Sequence, residues 1–165
     1  MSRDNNPIIG HGYDRHRLEA GHKLILGGVE IDFDKGCDAH SDGDVLAHAL
    51  TDALLGSIGQ PDIGQLYPND DPKWKDADSS KFVKDAFQRV FEAGYVVGNI
   101  DITVLLEQPK LVKYKKKMRE NVAYWLTCQP VKINIKGKTG EGVGPIGRGE
   151  AIDCHAVILM VRIDW

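Results

Sequence analysis

Asp14 and His16 stand two apart in the run His11-Gly12-Tyr13-Asp14-Arg15-His16. In an extended segment both side chains point to the same side, and a carboxylate beside an imidazole is half of a divalent-metal site. A surface pair has the same spelling, so the signal is weak by itself. A second run, from Ala39-His40-Ser41-Asp42-Gly43-Asp44 through His48 to Asp52, places Asp44, His48 and Asp52 at i, i+4 and i+8. They share one helical face. A histidine between two carboxylates is either salt-linked and structural or a metal ligand oriented by a neighbouring acid. Adding His48 to Asp14 and His16 makes two nitrogens and one oxygen. Three protein ligands leave one tetrahedral position for substrate, whereas a structural zinc is normally closed by a fourth.

His40 and Ser41 precede the helix, where free backbone N–H groups and the positive end of the dipole favour an anion. N-capping by Ser41 is compatible with that role. A third run, Lys136-Gly137-Lys138-Thr139-Gly140-Glu141, ends a strand in a glycine-rich turn. Such a turn can lay N–H groups and the Thr139 hydroxyl against phosphate oxygens, and Glu141 can hold Mg²⁺ between two phosphates. It is neither a Walker loop nor GxGxxG, and a plain tight turn is the competing reading. Lys110, in Gln108-Pro109-Lys110, is placed near a helix N-terminus, where the dipole disfavours a cation. An anionic ligand accounts for it, as does simple solvation.

The elements that position these groups follow from periodicity. Residues 8–13 are β-like, and Leu24-Ile25-Leu26 and Val29-Glu30-Ile31 flank Gly27-Gly28 as a hairpin. Leu46, Leu50 and Leu54 form one row of a helix from Asp44 to Leu55, with Ser41 and Asp44 spaced as a capping box. Residues 57–78 are loop-like. A second helix spans about Ser79 to Ala93, with Val83, Ala86, Phe87 and Val90 as its stripe. Ile100, Ile102, Val104 and Leu106 alternate as a strand. Pro109 opens a third helix carrying Leu111, Tyr114, Met118, Val122 and Trp125. Val131, Ile133 and Ile135 alternate again, and Ala156 to Val161 ends as a strand. The order implies an α/β (α+β) sandwich: a mixed four-stranded sheet, helices on one face and a small β-hairpin.

The 165 residues suit a single domain over 1–165. With 21 basic against 24 acidic residues, net charge is −3. That balance gives no footprint for nucleic acid or an anionic membrane, so phosphate chemistry must come from local groups. Cys37, Cys128 and Cys154 are odd in number and far apart, which argues against disulfides and thiolate zinc. The N-terminus shows no leader pattern and no apolar run approaches a membrane span, so a cytoplasmic protein is expected.

Several segments in order resemble the 2-C-methyl-D-erythritol 2,4-cyclodiphosphate synthase family of non-mevalonate isoprenoid biosynthesis. They are Gly10 to His16, Leu26-Gly27-Gly28-Val29, Ala39 to Val45, His48 to Gly56, Asp62-Ile63-Gly64, Ala77-Asp78-Ser79, Pro109-Lys110, Thr139 with Glu141, and Gly147-Arg148-Gly149-Glu150. The resemblance implies that Asp14, His16 and His48 hold zinc, which orients the β-phosphate of 4-diphosphocytidyl-2-C-methyl-D-erythritol 2-phosphate. It implies that His40 and Thr139 stabilise the transition state, with Ser41 beside them. Asp62 and Gly64 would hold the erythritol part, with the loop from Tyr67 to Asp71 nearby. Residues 106–112 and 138–141, among them Leu106, Pro109, Lys110 and Lys138, would bind the cytidine diphosphate. Glu141 would carry Mg²⁺ or Mn²⁺. The family is homotrimeric, with active sites between subunits. Arg148 and Glu150 would lie near a threefold cavity that takes an isoprenoid diphosphate in some members. Leu106-Glu107-Gln108, Pro145 and Arg15 depart from the usual pattern; Arg15 should point away from the metal. The cytidylyltransferase half of bifunctional relatives is not expected here.

The metal set alone also fits a zinc phosphohydrolase, in which metal-bound hydroxide attacks phosphate. A non-enzymatic nucleotide- or isoprenoid-diphosphate-binding trimer is the other alternative, against which Glu141 and the open metal position argue.

Overall fold

A computed structural model describes residues 6–68, 70–74 and 77–163. Residues 1–5, part of the segment in which no leader pattern is seen, fall outside these.

The first strand, β1 (Ile8–Ala20), has two unlike faces. Its even positions turn inward and its odd positions, from Ile9 to Arg17, turn outward. Two glycines decide what covers the inner face. A Cβ on Gly10 would stand 1.9 Å from the Ala53 carbonyl oxygen, and one on Gly12 would stand 1.8 Å from that of Ala49. Backbone can therefore rest on backbone, and helix α1 (Val45–Ser57) lies directly on β1. The predicted row of Leu46, Leu50 and Leu54 is fully buried in that contact layer.

Between them come the hairpin β2 (Leu24–Leu26) and β3 (Val29–Ile31), turned by Gly27-Gly28 as expected, and β4 (Lys35–Asp38). After α1 follow a single turn α2 (Ile63–Leu66), helix α3 (Ser80–Glu92) and strand β5 (Tyr95–Leu105). Helix α4 (Lys115–Trp125), β6 (Ile133–Lys138), the short α5 (Gly144–Gly147) and β7 (Ala151–Arg162) complete the chain. The main sheet runs β4-β1-β7-β5-β6, and only β5 and β6 pair in parallel. α1 packs on β1 and β7, α3 on β5, and α4 on β6, burying Val83, Ala86, Val90, Met118 and Val122. The outer face keeps Ile9, Tyr13 and Val157 exposed.

Four expectations are corrected. The sheet has five strands, not four, because the short Lys35–Asp38 segment pairs with Arg17–Ala20. Its sequence, Lys-Gly-Cys-Asp, has no apolar alternation to announce a strand. Pro109 does not open the third helix, which begins at Lys115. The chain at 106–114 is held by other bonds: Leu106 N donates to the Lys138 carbonyl (2.8 Å) and Tyr114 N to that of Leu111 (3.0 Å). Val131 is exposed and lies in a 3-10 turn ahead of β6. Finally, Ser41 does not cap α1; Asp44 does, accepting from Ala47 N.

Candidate active site

The close approach of β1 and α1 gathers three side chains from 34 residues of separation. Asp14 Oδ2 lies 3.0 Å from His48 Nδ1 and 3.5 Å from His16 Nε2. One ligand atom from each residue falls within 4.8 Å of the others, and among the described residues this is the group of three or more able to hold a metal ion. The His16 ring supports that use. Its Nδ1 stands 2.9 Å from the Arg15 carbonyl oxygen, which can only accept. Nδ1 therefore carries the proton and Nε2 the lone pair. That Nε2 is buried with no hydrogen-bond partner, a costly state that a metal ion would relieve. Burial also lowers the pKa of His16, opposed by the Asp14 carboxylate. The imidazole is thus kept neutral, as a ligand must be. The donor set fits zinc.

The spaced trio of Asp44, His48 and Asp52 divides its labour. Only His48 faces the metal group. Asp44 accepts from Gly27 N (3.0 Å), Gly28 N (2.7 Å) and Ala47 N (3.0 Å), and Asp52 accepts from Ile63 N (2.7 Å). Arg15 points to the opposite sheet face, as expected, where Nε and Nη2 donate to Asp153 at 2.7 and 2.6 Å.

Asp14, His16 and His48 open onto a cavity of about 510 Å³ shared with His40, Ser41, Gly64 and Tyr67. Among the described residues, His40 Nε2 is the other buried ring nitrogen without a partner, so this wall too lacks a polar group that a ligand would supply. Tyr67 is buried against Trp74 and Phe82, a cluster separate from the main core, and its hydroxyl donates to Asp85. Sequence reasoning missed Trp74 and Phe82 in this wall, and Asp42 and Ser79 behind His48. Trp74 sits in a segment without periodicity, and only the Ala77-Asp78-Ser79 motif marked Ser79. Asp62 and Asp71 do not line the cavity: Asp62 caps α2 by accepting from Gln65 N (3.0 Å), and Asp71 accepts from Lys73 N (2.9 Å).

The remaining predicted residues gather elsewhere. Leu106, Pro109, Lys110, Lys138 and Thr139 line a second cavity of about 120 Å³ at the ends of β5 and β6. Thr139 Oγ1 donates to Glu141 Oε1 (2.5 Å), and Gly140 N donates to Glu107 (2.9 Å), tying the two loops together. Glu141 has a left-handed backbone, φ 51°, a conformation that costs energy outside glycine and gathers at functional loops. Arg148 lies apart from both cavities, its guanidinium donating twice to Glu150 at 2.9 Å.

Residues 8–161 match the model of the YgbB family. A 2-C-methyl-D-erythritol 2,4-cyclodiphosphate synthase of Treponema denticola is 50% identical over 92% of this chain and 94% of its own length. The bifunctional IspDF of Campylobacter jejuni superposes with a TM-score of 0.93 at 42% identity, covering 97% of this chain and 43% of that one. IspF of Plasmodium falciparum, solved as a CDP complex, gives 0.86 at 34% identity, over 98% of this chain and all of its own. The chain spans 65–69% of the length of the chloroplastic synthases it matches in Oryza sativa and Catharanthus roseus.

Proposed function

The chain belongs to the YgbB family and is an enzyme that forms 2-C-methyl-D-erythritol 2,4-cyclodiphosphate; we propose that it does so by intramolecular attack of a 2-phosphate on the β-phosphorus of the cytidyl diphosphate substrate, expelling CMP. The observation that carries this reading is the pair of unpartnered buried nitrogens, His16 Nε2 and His40 Nε2, facing one cavity beside Asp14 and His48.

Binding both ends of one small polyol in a bent pose makes the attack unimolecular, which replaces roughly 7–11 kcal/mol of barrier. No protein nucleophile is needed. Burial pushes the Cys37 thiol up to about 12 and raises that of Cys154, so neither supplies a thiolate. Zinc held by Asp14, His16 and His48, with Mg²⁺ or Mn²⁺ at Glu141, would supply Lewis-acid stabilisation of the phosphate oxygens. His40 offers a hydrogen bond from the cavity wall, and Thr139 offers its hydroxyl once it releases Glu141. The aromatic cluster of Tyr67, Trp74 and Phe82 would shield that side of the cavity from water. Turnover in heavy-oxygen water tests the reaction: the cyclic product and CMP should carry no solvent oxygen. Label entering a phosphate product would mean hydrolysis.

The metal group and the nucleotide loops lie on opposite flanks of the sheet, at β1 and at β5–β6. Three strand spacings separate β1 from β6, roughly 14 Å. Each chain thus carries two half-sites that would meet across a head-to-tail contact, and a contact of that kind whose rotation closes makes a ring. A homotrimer with sites between subunits fits this arrangement, its open sheet face supplying Ile9, Tyr13 and Val157 to the inside. An isoprenoid diphosphate would sit beside the cavity of about 480 Å³ that Arg17, Lys35, Leu18 and Pro145 line. Co-expressing His48→Ala chains with Glu141→Ala chains should restore about one quarter of wild-type activity, since random pairing leaves that share of sites with both halves intact. Mixed chains as inactive as either parent would place both halves in one subunit.

A further inference from the structure

His48 has a neighbour that the reaction itself does not call on. Ser79 is fully buried, and its Oγ lies 3.0 Å from His48 Nε2. The Asp42 carboxylate accepts from Ser79 N (3.0 Å), from Ser79 Oγ and from Asp44 N (3.2 Å). Counting protons fixes the direction of this chain. A hydroxyl has one hydrogen, and an ionised carboxylate only accepts. The Ser79 hydrogen therefore goes to Asp42, and toward His48 the Ser79 oxygen can only accept. A hydrogen bond to that oxygen requires the ring proton on His48 Nε2, which leaves the lone pair on Nδ1, the atom 3.0 Å from Asp14.

We infer that Asp42 and Ser79 are positioning residues that lock His48 into the tautomer that binds metal; this rests on the metal-site reading above. The opposite tautomer would turn an N–H toward the metal position, where only the Asp14 carboxylate accepts it, and would set the Nε2 lone pair against that of the Ser79 oxygen, leaving Ser41 as its one donor. Ser41 Oγ lies 3.1 Å from the same Nε2 and already accepts from Gly43 N (3.3 Å). It serves as a secondary acceptor and keeps its own hydrogen for a phosphate oxygen. A histidine that holds its proton on Nε2 is also no base for Ser41. His16 is locked in the same sense by the Arg15 carbonyl, a backbone group that substitution cannot remove. His48 depends on side chains, which makes the lock testable.

Zinc affinity should be measured by chelator competition on the full-length protein, wild type against Ser79→Ala. Removing a group that orients a metal-binding histidine weakens metal affinity by roughly 10–100-fold, and that loss is expected here. In the metal-free protein, where the Asp14 carboxylate draws the ring proton toward Nδ1, nitrogen-15 NMR of the His48 ring should show a larger Nε2-protonated share in the wild type than in the variant. Saturating zinc should restore most of kcat. Folding should survive, because Ser79 gives α3 no side-chain cap and its backbone N–H stays bound to Asp42. Asp42→Asn is the second variant. Its amide can donate to Ser79 and reverse the chain, so zinc affinity should fall and the ring proton should move in the same direction. Zinc affinity and tautomer unchanged in whichever variant folds would overturn the inference. A wild type that binds no zinc would instead defeat the metal-site reading.

Discussion

His48→Ala should lower turnover by about 10³-fold or more, since losing a Lewis acid at phosphorus removes several kcal/mol of transition-state stabilisation. Bound zinc should fall from one per chain to a substoichiometric amount. The alanine leaves Asp14 and His16 on β1 with no third ligand, and two protein ligands do not make a dependable zinc site. The effect is local. His48 contacts Asp14, Ser41 and Ser79 through its ring, while the row of Leu46, Leu50 and Leu54 that holds α1 to the sheet is untouched. Metal analysis, steady-state kinetics and a thermal melt on the same preparation separate the alternatives. Low activity with full zinc occupancy would mean that the metal sits elsewhere. Undiminished activity would remove His48 from the site altogether.

The metal group was legible because its residues are chemically specific and because alternation and helical spacing say which way each one points. Spacing alone could not say that His48 would part from Asp44 and Asp52, which share its helical face yet turn to backbone donors in the hairpin and in α2. That choice is made by tertiary packing, through the two glycines that let α1 settle on β1. The hairpin and the three principal helices show in the apolar pattern. The rear half of β1 and all of β4 do not. From Asp14 to Arg17 the strand is charged or polar on both faces, one carrying the candidate metal group and the other the Arg15–Asp153 pair, so no hydrophobic alternation marks it. The aromatic wall was hidden for a related reason: Tyr67, Trp74 and Phe82 come from a loop, a 3-10 turn and a helix and converge only in space. Separation of the two cavities across the sheet is likewise a property of strand order, which the sequence does not state.

Asp44→Ala should cost about 3 kcal/mol of stability at neutral pH, through three backbone N–H groups left without an acceptor, each worth ~1–3 kcal/mol when orphaned and partly offset by removing a buried charge. Those donors are Gly27, Gly28 and Ala47, so one side chain both caps α1 and latches the glycine turn of the hairpin to it. Asp44→Asn should cost less. Its oxygen can still accept from Gly27 and Ala47, but its amide hydrogens would face Gly28 N. The pH dependence has a definite sign. Burial pushes the Asp44 carboxyl up to about 6, against the pull of its backbone donors. A folded-state pKa above the unfolded one contributes stability that is fully present below about pH 4 and is lost as pH rises through about 6. The stability difference between wild type and Asp44→Ala should therefore be larger at pH 4 than at pH 7, with the change confined to that window. Denaturant melts of both proteins across that range measure it, and subtracting one from the other cancels the remaining carboxylates. A difference that grows with rising pH would show that the three N–H bonds, and not burial, govern this carboxylate. Equal melts at every pH would mean that the hairpin and the helix hold together without it.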